Sequence, residues 1–258
     1  MVEEQDAQYW KLYAEQLLMG LMPNSVLKNL TTNTALLGSY AEASVHSLVF
    51  KTVAPLRVST GSLISPSLAI PSAPMMQLDI IVWEPHPLPA IFDQGEFALV
   101  PPASVAGVLE VKRSAYGGAG AAMTKTLDWV ESTVPGAQKL FSGEIEPRKF
   151  SAGVVADPNH KALGVVCIRE NGNKDRELDQ LVEKGRAVVL IDQNNAGELT
   201  VNPSHVAHLL MFLQLCRYRF AGGPGEGNDP RFIAMGPGMK PAGYLSKKPQ
   251  KVEIKRWQ

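Results

Sequence analysis

The chain has 258 residues, 45% of them hydrophobic, with 25 basic and 25 acidic side chains. That suffices for one substantial core, and no apolar run reaches the ~20 residues needed to span a bilayer; the longest, around Val206 to Cys216, is broken by His208 and Gln214 and bounded by Arg217. A formal charge of zero does not favour bulk nucleic-acid binding, and the acidic start Met1-Val2-Glu3-Glu4-Gln5-Asp6 has the wrong sign for a secretory or mitochondrial leader, so a cytoplasmic protein is expected.

Residues 7 to 20 carry large apolar groups at helical spacing (Tyr9, Leu12, Tyr13, Leu17, Leu18), and Pro23-Asn24 is expected to end that helix. Residues 33 to 50 predict a second helix through Leu36, Leu37, Tyr40, Val45, Leu48 and Val49, on which Glu42 and His46 lie four apart and share a face. The Ser/Pro-rich stretch Pro55 to Pro74 reads as a loop or weak edge strand (Leu56 to Val58, Ser62 to Ile64). A compact β-branched strand follows, Met76 to Trp83, holding Asp79. Ala90 to Phe92 and Phe97 to Val100 read as short strands around the turn Asp93-Gln94-Gly95, and Val105 to Lys112 as another clear strand. Met123 to Val134 reads as a helix. Strands are expected at Phe150 to Val155, Ala162 to Ile168 and Ala187 to Ile191. Further helices are expected at Asp175 to Lys184 and from Ser204 to about Phe220.

Alternating strands and helices imply an α/β fold with a central mixed β-sheet flanked by helices. Residues 1 to 222 read as one domain, with its core at about 33 to 192, and 223 to 258 as a Gly/Pro-rich, basic C-terminal tail. The five basic residues Lys247, Lys248, Lys251, Lys255 and Arg256 suggest a solvated tail first and a phosphate-attracting arm second.

The chemistry concentrates on two strands. Asp79 and Glu110 each sit in an apolar run, where a carboxylate is costly unless partnered, and a bound cation is a partner that can satisfy both. Lys112 follows Glu110 by two residues and so points to the same face, while Val111 points to the other. Phosphodiester cleavage uses that pairing: carboxylates hold Mg²⁺ (or Mn²⁺), and an ammonium orients the attacking water or offsets charge on the phosphate.

Asp79 followed by Glu110-Val111-Lys112, each on an apolar strand, resembles the PD-(D/E)XK nuclease core, the restriction-endonuclease-like superfamily. Leu78 stands where many members have proline. The upstream Gly38-Ser39-Tyr40-Ala41-Glu42 helix, the Gly61-Ser62 loop, the Gln-Leu-Asp strand and the Glu-Val-Lys strand are similar to an uncharacterised bacterial family with the same order, over about residues 33 to 135. The resemblance implies a metal-dependent DNA endonuclease. Asp79, Glu110 and the Val111 carbonyl would be metal ligands, Glu42 an outer ligand, and Lys112 would position or activate water. It also offers Lys125 as a possible substrate contact, with Thr124 and Asp128 behind it. Ser114, on the Lys112 face, could touch a phosphate or end the strand. A homodimer or larger homo-oligomer and a role in defence against phage are further implications. The contrasting expectation is a nuclease-fold module that binds nucleic acid or a protein partner without cutting.

Other candidates rank lower. His46 reads as a structural residue beside Glu42. His205 and His208 lack a third ligand and are expected on a helix surface and cap. Cys167 and Cys216 read as small buried hydrophobes. There is no G-x-S-x-G, and neither Gly-rich stretch is followed by Gly-Lys-Ser/Thr.

Overall fold

The structure is a computed structural model. It describes residues 2–64, 75–85, 88–114, 119–134, 162–170, 187–194, 198–202 and 252–254, with positions 180, 205, 209 and 216. The expected strand at 150 to 155 and helix at 175 to 184 fall outside these residues, apart from Gln180, which is helical.

Helix α1 spans Val2–Leu30 and α2 spans Thr34–Val53. Contrary to the sequence expectation, α1 runs through Pro23. Proline removes one intrahelical donor, and the helix persists with Ala14, Leu17, Leu18 and Leu21 packed in the core. Asn33 caps α2, its side-chain oxygen accepting from the backbone N–H groups of Ala35 and Leu36.

Strands β1 (Arg57–Leu63), β2 (Leu78–Trp83), β3 (Phe92–Asp93), β4 (Phe97–Val100), β5 (Val105–Ser114), β6 (Ala162–Glu170), β7 (Ala187–Gln193), β8 (Leu199–Val201) and β9 (Val252–Ile254) form one sheet, in the order β3-β4-β1-β2-β5-β6-β7-β8-β9. β5, β6 and β7 are parallel, β1 and β4 are parallel, and the remaining pairs are antiparallel. Helix α3 (Ala119–Thr133) follows β5. β9 lies within the basic stretch read as a tail, and β8 was not expected from the sequence. Each is three residues long, too short to show a period of its own.

Period-two alternation divides the sheet's side chains between two cores. One face packs Ile80, Val82, Leu109, Val111 and Val166 against α1 and α2. The other packs Ile81, Trp83, Val108, Val165 and Cys167 against Met123, Leu127 and Val130 of α3. Helices therefore cover both faces, and polar chemistry can reach solvent only where the strands end or separate.

Gly61 lies inside β1, not in a loop. Its φ of +144° is open to glycine, and a Cβ built there would stand 1.9 Å from the Ala98 carbonyl oxygen of β4. Gly61→Ala is therefore expected to destabilise the fold by roughly 2 kcal/mol or more, since strained φ and backbone overlap add. A denaturant-melting midpoint equal to that of the parent chain would refute this.

Candidate active site

Asp79 sits near the start of β2 and Glu110 midway along β5, the adjacent strand. The β2–β5 ladder pairs Ile81 with Val108 and Ile80 with Leu109. One step further the side chains take over the backbone bonds. The Val111 N–H donates to Asp79 Oδ2 at 2.9 Å, and the Asp79 N–H donates to Glu110 Oε1 at 3.5 Å. Two carboxylates thus occupy the place where the next backbone pair would have formed.

Lys112, on the Glu110 side of β5, closes the group. Its Nζ lies 3.0 Å from Asp79 Oδ2 and 3.6 Å from Glu110 Oε2. Glu110 is only 1% exposed and Asp79 8%, whereas the Lys112 side chain is 35% exposed, so the ammonium forms the solvent side of the cluster. Glu42, half-buried on α2 one residue after the core alanine Ala41, is close enough to feel both Asp79 and Lys112.

The charges are mutually dependent. Burial, and then the Asp79 carboxylate, push Glu110 up to about 7, with Lys112 pulling it back in part. Burial acts to lower Lys112, but Asp79 and Glu110 outweigh it and hold the ammonium above the ordinary lysine range. Lys112 is therefore a cation at neutral pH and is not disposed to take a proton. Glu42 is raised by burial first and by Asp79 second, against the opposing pull of Lys112.

The structure brings together Asp79, Glu110 and Lys112, puts Val111 in contact with Asp79 through its amide, and leaves Glu42 within electrostatic range of Asp79 and Lys112. Lys125 is exposed on α3, with Thr124 half-buried beside it and Asp128 exposed. Ser114 closes β5 opposite Arg169 of β6. His46 bonds the Val58 carbonyl through Nε2 at 3.3 Å and so ties α2 to β1. His205 is not on a solvated helix surface: it is half-buried, its Nδ1 accepts from the Leu190 N–H at 3.3 Å, and burial lowers its pKa. His208 lies outside the described residues. Cys167 and Cys216 are buried thiols, and burial pushes that of Cys216 up.

Sequence reasoning missed one component, the irregular pairing of β1 with β2. Ser59 is opposite Ile81, but Gly61 is opposite Leu78, so Asp79 and Ile80 together face Thr60 alone. A glycine within a β-capable run signals such a bulge.

No family model and no curated protein matches the sequence. Solved structures do match its fold. NucC of P. aeruginosa ATCC27853 in its cAAA-bound form aligns with a TM-score of 0.53 at 14% identity, over 83% of this chain and 91% of that one. NucC of E. coli MS115-1 in its cAAA-bound form aligns with a TM-score of 0.53 at 15% identity, over 83% and 90%. The fold is α/β, a central mixed sheet flanked by helices, and matches that of these NucC structures. At these identities the likeness is one of architecture. The individual site residues rest on this chain's own geometry.

Proposed function

We propose that this chain is a metal-dependent nuclease that hydrolyses phosphodiester bonds, a DNA endonuclease acting as a homo-oligomer. The observation that supports it best is the convergence of Asp79 and Glu110 from adjacent strands on one ammonium group at the opening of a buried site.

Among the described residues, no three His, Cys, Asp or Glu side chains are placed to hold a metal ion by themselves. Mg²⁺ does not need such a cage, since it is commonly held by one or two carboxylates with water and substrate phosphate oxygens completing the shell. Glu110 is buried, and its pKa is raised first by that burial and then by the Asp79 carboxylate beside it, a repulsion that a hard divalent cation would relieve. The donor set fits Mg²⁺ or Mn²⁺: Asp79, Glu110 and the Val111 carbonyl would hold the ion, and Glu42 would act as an outer ligand. When bound, the ion would polarise the scissile phosphate and lower the pKa of a coordinated water.

The chain's own residues supply the rest. The Val111 amide fixes the Asp79 carboxylate in place. Lys112, held in its charged form by Asp79 and Glu110 against the effect of burial, orients the attacking water through its hydrogens and offsets negative charge building on the phosphate. Glu42 holds a proton more readily than an ordinary glutamate and can exchange one with solvent at the rim. Cleavage would be in-line hydrolysis.

A plasmid-nicking assay with Mg²⁺ tests the reading, run with and without cAAA, the ligand both like structures hold. Asp79→Ala is expected to reduce nicking by roughly 10³-fold or more, because it removes a metal ligand and the partner of Lys112. Equal nicking by the variant would refute the site. Failure of the wild-type chain to cut any nucleic acid, together with capture of DNA or a protein partner, would favour the binding-module reading. A role in bacterial defence is tested by phage plating on cells carrying the wild-type or Asp79→Ala chain.

A further inference from the structure

Asp79 owes its direction to a defect in the sheet. Along β2 the side chains alternate between the two cores from Trp83 to Ile80: Trp83 and Ile81 face α3, while Val82 and Ile80 face α1 and α2. Leu78 should then join Ile80, yet it packs with the α3 core. The alternation slips at Asp79, where Asp79 and Ile80 together oppose Thr60. Such a bulge re-aims one side chain, but the extra residue is left outside the ladder and needs another restraint.

That restraint comes from β1. Thr60 Oγ1 donates to the Leu78 carbonyl at 3.0 Å, the peptide that leads directly into Asp79. Ser62 Oγ donates to the Met76 carbonyl at 2.7 Å and fixes the chain two residues earlier. Gly61 between them takes a φ of +144° and lets the β4 carbonyl of Ala98 approach, which seats β1 against both neighbours. Two hydroxyls and a glycine therefore secure the entry to β2.

We propose that Thr60 is a positioning residue: its hydroxyl locks the β2 bulge so that the Asp79 carboxylate meets the Val111 amide and the Lys112 ammonium. The geometric claim stands on the described contacts. Its consequence for cleavage rests on the nuclease reading above.

Thr60→Val keeps the shape and removes the hydroxyl, and Thr60→Ser keeps the hydroxyl. The first measurement is amide hydrogen exchange in the metal-free chain, which does not depend on any activity. In Thr60→Val the Val111 amide, held at 2.9 Å by Asp79, is expected to exchange roughly tenfold faster, the loss of about one hydrogen bond. The amides of Val108 and Leu109 should keep their wild-type rates, and Thr60→Ser should restore protection at Val111. Wild-type protection at Val111 in Thr60→Val would overturn the proposal, as would equal loosening of all three amides. Thr60→Ala, with the same expected pattern, serves as a second hydroxyl-free variant if Thr60→Val does not fold.

The second measurement is kinetic. Plasmid nicking by Thr60→Val is expected to lose roughly 10- to 100-fold in kcat with KM for DNA little changed, and Mn²⁺ affinity to weaken similarly, as for groups that orient metal ligands. Thr60→Ser should recover both. A KM rise with unchanged kcat and Mn²⁺ affinity would overturn the positioning role. A wild-type chain that never cuts would sink the nuclease reading and leave the exchange result to decide Thr60.

Discussion

Replacing Lys112 with methionine is expected to produce the largest change in the metal-free protein. The variant keeps the length and apolar stem of the side chain but removes the ammonium that bonds Asp79 at 3.0 Å and lies 3.6 Å from Glu110. Removing one partner of a mostly buried ion cluster leaves uncompensated charge and typically costs about 3–5 kcal/mol. The opening at Lys112 and protonation of Glu110 place the expectation at the lower end. The diagnostic feature is its response to Mg²⁺. A divalent ion would replace the lost positive charge, so Mg²⁺ should raise the melting temperature of Lys112→Met more than that of wild type. Nicking should nevertheless fall by roughly 10²-fold or more, because the group that orients water and stabilises the phosphate is gone. A variant insensitive to Mg²⁺ in thermal melts would remove the basis for a shared cation locus.

The second large effect concerns Glu110 and has an opposite sign for stability and activity. Its folded pKa of about 7 lies above the ordinary 4.5, so the folded chain prefers the protonated form. Its contribution to stability is fully present below pH 4.5, declines as pH rises and is lost above about 7. Glu110→Gln removes that penalty. At pH 8 the metal-free variant is expected to be more stable than wild type by on the order of 3 kcal/mol, a shift of several degrees in melting temperature. At pH 4.5 the two should melt together. Nicking by the variant should be abolished and its Mg²⁺-induced stabilisation lost. Melts at the two pH values with and without Mg²⁺ check all of this, and a Glu110→Gln chain less stable at pH 8 would contradict the charge assignment.

The core of the site was legible because charge inside an apolar strand is conspicuous. Asp79 among Leu78, Ile80 and Ile81, and Glu110 among Val108, Leu109 and Val111, stand out against their neighbours. Period-two geometry then puts Lys112 beside Glu110 without knowledge of the fold. Glu42 was a different matter: its helix was readable from spacing, but its nearness to Asp79 and Lys112 depends on how α2 crosses the sheet. Lys125 and Ser114 were placed on the right elements, yet nothing local could say whether either reaches a ligand.

Some elements were misread for identifiable reasons. Pro23 is a strong local stop signal that tertiary packing overrode in α1. The Ser/Thr/Gly stretch at Ser59 to Ser62 has weak local strand preference and becomes β1 because β2 and β4 pair with it on either side. β9 is visible only through its register with β8.

The sequence by itself determined which side chains carry charge, which strands and helices are apolar on which face, and hence that Glu110 and Lys112 share one face of a strand. Those properties are local and follow from helix and strand periodicity. Only the tertiary structure decided that β2 and β5 part at Asp79, that a bulge opposite Thr60 aims its carboxylate, and that α2 brings Glu42 to the rim. These depend on pairing between residues far apart in the chain, where register is set by the combined burial of many side chains and leaves little local mark beyond a glycine such as Gly61.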